Sequence, residues 1–118
     1  MNLNEDLEIK KFIDSFLDRK TFAENYFNKQ VPISIDVILQ YIVQNKLEKL
    51  FIDAQPVPNI DDFYLICDVT KNAYKIIETE RNFVFKEKEY KNLMLAIKDK
   101  IIGKTKYNLT KLKSDSLP

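Results

Sequence analysis

Nineteen basic and eighteen acidic side chains, six Tyr and one Cys are the groups with chemistry to offer; the sequence holds no His. That absence takes away the commonest general base, metal ligand and pH switch together. Any Ser, Thr or Cys nucleophile would need a carboxylate or a Lys as its base. Cys67 lies inside the apolar run Leu65-Ile66-Cys67-Asp68, where a cysteine reads as a small buried hydrophobe. A metal would have to be held by carboxylates, and no Asp/Asn series ending in Glu has calcium-loop spacing. A metal-dependent nuclease needs an Asp on one strand and a Glu-x-Lys on the next. Asp68 does precede Glu89-Tyr90-Lys91, but the pattern sets Glu89 at the start of a helix. Glu78-Thr79-Glu80 carries Glu where the Lys is wanted. The single glycine leaves no phosphate-cradling loop. The expectation is a protein without catalytic residues, metal or cofactor.

The carboxylates have a collective reading instead. Asp61 and Asp62 precede a strand-like run, Asp68 ends it, and Glu78 and Glu80 share one face of the next. Gathered at one end of a sheet and joined by Tyr64, they would form an acidic surface that meets a basic protein partner and speeds its capture. Charge is unevenly spread: residues 1–59 carry 7 basic and 9 acidic groups, residues 60–118 carry 12 and 9. The basic surplus lies at the end, with six Lys against one Asp from Lys98 to Lys113. That stretch reads as a solvated tail, with weak phosphate contact its sharper alternative.

The elements that must position these groups follow from period. Ile9, Phe12, Ile13, Phe16 and Leu17 make one apolar stripe, predicting a helix from about Glu5 to Leu17. Thr21-Phe22-Ala23-Glu24 has capping-box form and starts a second, short helix. Ser34 caps a third, predicted from Ile35 to Phe51. Gln55-Pro56-Val57-Pro58-Asn59 breaks the chain. The period then changes to two: Phe63 to Val69 and Asn72 to Glu80 flank a turn at Thr70-Lys71-Asn72, and Phe83-Val84-Phe85 adds a short third strand. An amphipathic helix is predicted from Lys88 to Ile102, with Gly103 as the residue that stops it. The fold class is therefore α+β: an N-terminal three-helix segment, a β-hairpin of two to three antiparallel strands and a C-terminal amphipathic helix.

A length of 118 residues with 45% hydrophobic composition suits one domain, read here as residues 1–103, with 104–118 as a Lys-rich tail. No run approaches the 18 apolar residues a membrane span requires. The acidic start, Met1-Asn2-Leu3-Asn4-Glu5-Asp6, does not read as a signal peptide. One unpaired cysteine fits a reducing compartment, so the expected location is the cytoplasm.

Two resemblances bear on function. Phe63 to Val69, then Asn72 to Glu78, then a helix from Tyr90 resembles the C-terminal part of small bacterial immunity proteins, including SUKH-like ones of contact-dependent inhibition systems. This implies a non-enzymatic cytoplasmic inhibitor that covers the basic active site of a cognate toxin, such as a nuclease. The contacting residues would be Asp61, Asp62, Tyr64, Asp68, Glu78 and Glu80. The alternative runs from Phe16 to Ile52. It is similar to the helix-turn-helix of the ferric-uptake-regulator family, and implies a winged-helix DNA-binding regulator reading bases through Gln40, Gln44 and Asn45. That family's metal-binding His residues have no counterpart here, so such a regulator would lack its metal sites.

Overall fold

The structure is a computed structural model, and it describes residues 3–18, 33–60, 62–81 and 83–105. The chain divides into two compact units. One comprises residues 1–46 with 105–118, the other residues 47–104.

In the first unit, α1 spans Leu3–Phe16 and α2 spans Ile35–Gln44. Ile9, Phe12, Ile13 and Phe16 are buried at helical spacing, with the rings of Phe12 and Phe16 5.9 Å apart. The stripe that predicted α1 is thus its buried face, apart from the exposed Leu17. Ser34 caps α2 as expected: its backbone is extended and its Oγ accepts from the Asp36 amide at 3.2 Å. Ile35, Ile38 and Ile42 bury completely, and α1 and α2 touch each other. The helix predicted around Phe22 lies outside the described residues.

One long helix from Ile35 to Phe51 is not what forms. The backbone amide and the side-chain Nδ2 of Asn45 both bond the Tyr41 carbonyl, and Lys46 adopts a left-handed φ of 56°. A short amide side chain that competes for the helix's own carbonyl ends the helix there. Phe51 then buries from a separate single turn, Glu48–Phe51.

The second unit holds a three-stranded antiparallel sheet in the order β1 (Phe63–Asp68), β2 (Ala73–Glu80), β3 (Phe83–Tyr90), followed by α3 (Leu93–Thr105). The first hairpin turns where expected. Asp68 Oδ1 accepts from the Thr70 hydroxyl at 2.7 Å and the Lys71 amide at 3.3 Å, and Asn72 takes a left-handed φ of 50°. Asn tolerates that conformation better than most residues. Register places Phe63, Leu65 and Cys67 opposite Glu78, Ile76 and Tyr74, and these opposite Lys86, Lys88 and Tyr90. A bulge between Glu78 and Thr79 leaves Phe85 as the extra residue of β3.

β3 continues to Tyr90, so Lys88, Glu89 and Tyr90 are strand and not the start of the last helix. Their alternating charges match a strand once β2 lies alongside. The helix starts later because Asn92 caps it: its Oδ1 accepts from the Met94 amide at 2.8 Å and the Leu95 amide at 3.2 Å. Gly103 does not stop the helix but lies inside it. A Cβ there would stand 2.6 Å from the Phe63 ring, so the residue is small because the helix meets the sheet at that point. Leu65, Ile76, Ile97 and Ile101 are buried, whereas Leu93 at the start of α3 is only half-buried.

Candidate functional site

Of the six carboxylate and tyrosine positions singled out from the sequence, the five described ones are not brought together into one surface. Asp61 lies outside the described residues. Asp62 is largely buried and pairs with Lys104 at 3.3 Å, while its Oδ1 accepts from the Phe63 amide at 2.8 Å. Tyr64 is 1% exposed, and its hydroxyl donates to the Ile60 carbonyl at 2.7 Å. The expectation of a surface tyrosine is corrected: its ring belongs to the core, because odd-numbered neighbours on β1 face α3 while Tyr64 packs toward the segment that precedes the strand. Glu78 is half-buried beside Phe63 and Lys86, and Glu80 is exposed at the far hairpin. Asp68 stands at the opposite end, five register positions away and on the other face. At about 3.3 Å per residue this separates it from Glu78 by roughly 17 Å along the strands.

What the sheet does assemble is a charge ladder around Lys75. Its ammonium lies 3.3 Å from Asp68 and 3.2 Å from Glu87, bridging β1, β2 and β3 on one face. Lys71 and Lys91 flank Glu89 at 3.8 and 3.9 Å. The Glu87 carboxylate, with Asp68 next, holds the Lys75 proton more tightly than in an ordinary lysine. The Thr70 hydroxyl, helped by Lys75 and the Lys71 amide, keeps the Asp68 carboxyl below its usual range. Glu89 does stand on a strand near Asp68, contrary to its expected place on a helix. The position a metal would need between these carboxylates is nonetheless taken by lysine nitrogens. Among the described residues no group of three or more His, Cys, Asp or Glu could hold a metal ion.

On the other face, Tyr90 donates its hydroxyl to Asp99 of α3, and the Lys88 ammonium lies 5.1 Å from the Tyr90 ring centre. Burial, then the bond to Asp99, pushes the Tyr90 phenol up, and its contact with Tyr90 raises Lys88. Cys67 is exposed, not buried as its apolar neighbours implied. On α2, Gln40 and Gln44 are exposed, whereas the Asn45 amide is spent on the Tyr41 carbonyl.

Two features have no forerunner in the sequence reading. The first is a buried ion pair: Lys100 Nζ donates to Asp53 Oδ2 at 2.8 Å and to the Phe51 carbonyl at 2.9 Å. The same Asp53 oxygen accepts from the Leu65 amide at 2.9 Å, and the Asp53 amide donates back to Leu65 at 2.7 Å. This knot ties the 51–53 segment to β1 and α3. The second is the outer end of the β2–β3 hairpin. Phe83 and Val84 are 75% and 57% exposed there. A hollow of about 230 Å³ is lined by Pro56, Val57, Pro58, Ile60 and Thr79, the last being the register partner of Val84. The Phe-Val-Phe run signalled a strand, but not that its first two residues stay exposed.

The chain is 28% identical over 113 residues to the isoleucine–tRNA ligase of Mycoplasma genitalium, an alignment covering 92% of this chain and 12% of the ligase. The chain therefore spans about an eighth of the length of that relative. No family model and no solved structure matches it. No helix among the described residues is long and apolar enough to cross a membrane.

Proposed function

We propose that this chain is a non-catalytic, RNA-contacting module of tRNA aminoacylation, working beside or within a larger ligase. One observation carries the reading: nearly the whole chain aligns with a domain-sized part, 12%, of an isoleucine–tRNA ligase. A piece of this size has room for a binding surface. A module of this kind adds tRNA affinity and orientation to a catalytic body that resides elsewhere, and it needs no nucleophile, metal or cofactor of its own. Lys100 and Lys104 are spent on Asp53 and Asp62, so the charge offered to phosphates by the Lys-rich run is that of Lys98, Lys106, Lys111 and Lys113.

The test is titration of a fluorescent isoleucine tRNA transcript with the purified chain at several salt concentrations. Binding should weaken as salt rises, with a slope of log K against log[salt] near −0.7 to −0.9 per phosphate contact. Absence of any salt-sensitive tRNA binding refutes the module. If a pull-down from host lysate then retains a toxin through Glu78 and Glu80, the chain is an inhibitor of the immunity-protein kind.

A further inference from the structure

We draw no further inference here: the strongest candidate, the exposed apolar surface patch that Phe83 and Val84 form at the outer end of the β2–β3 hairpin, carries nothing because nothing in the structure shows what covers it.

Discussion

Replacing Asp53 by Ala removes one half of the buried Lys100–Asp53 pair and should be among the most damaging single changes in this chain. The Lys100 side chain is 6% exposed and the Asp53 side chain 29%. Without Asp53 the ammonium keeps the Phe51 carbonyl, 2.9 Å away, but loses its counter-charge in a site with little access for water. Breaking a buried pair on one side costs about 3–5 kcal/mol. The Leu65 amide also loses its acceptor, which places the loss at the upper end of that range. Lys100→Met behaves differently. It keeps the aliphatic stem and leaves behind Asp53, which water can partly reach, so the loss should be about 1–3 kcal/mol. The double variant should lose less than the sum of the two by more than about 0.5 kcal/mol, the coupling expected of groups in contact. Urea unfolding followed by circular dichroism measures all three, and each kcal/mol corresponds to roughly 4 °C in Tm for a chain of this size. If Asp53→Ala changes stability by less than about 0.5 kcal/mol, or the two single changes simply add, the pair does not hold this part of the fold together.

Three further outcomes follow from the sheet. Gly103→Ala gains up to about 1 kcal/mol of helix propensity but drives a methyl against the Phe63 ring, so the chain should end up less stable, and the added cut Phe63→Leu should recover the loss; stabilisation by the full propensity gain refutes the close contact. Asp68 has its carboxyl held low, so its contribution is present above the ordinary carboxylate value, about 3.9, and is lost as pH falls through the folded value. Asp68→Asn should therefore flatten the acid side of a stability–pH curve, and an unchanged curve would count against the Thr70–Lys75 cradle. β3 is an edge strand with Lys86 and Lys88 on one face and Glu87 and Glu89 on the other, all exposed. Antiparallel pairing of two copies sets same-face residues opposite each other, so like charges meet and the edge is guarded against self-association. Changing all four to Thr should produce concentration-dependent association by light scattering, and a variant no more associated than wild type removes the argument.

Local signals in the sequence determined a good part of this protein. The apolar spacing of Ile9, Phe12, Ile13 and Phe16 set the buried face of α1, and the side-chain oxygen of Ser34 set the start of α2, because both act within one or two turns of chain. The change to period two, with Asp68 and Asn72 at the turn, made the first hairpin legible for the same reason. Tertiary structure decided what depends on partners distant in sequence. Lys86 to Tyr90 became strand only because β2 lay beside it, and Gly103 serves the Phe63 ring 40 positions away in the chain, not the end of its own helix. Burial of Tyr64, exposure of Cys67 and the meeting of Asp53 with Lys100 were equally out of reach. Period tells which residues share a face, but only packing determines which face is covered and how far along the strand the cover extends. That is why carboxylates read as one acidic surface are instead divided between an ion pair with Lys104, a ladder around Lys75 and the open end of a hairpin.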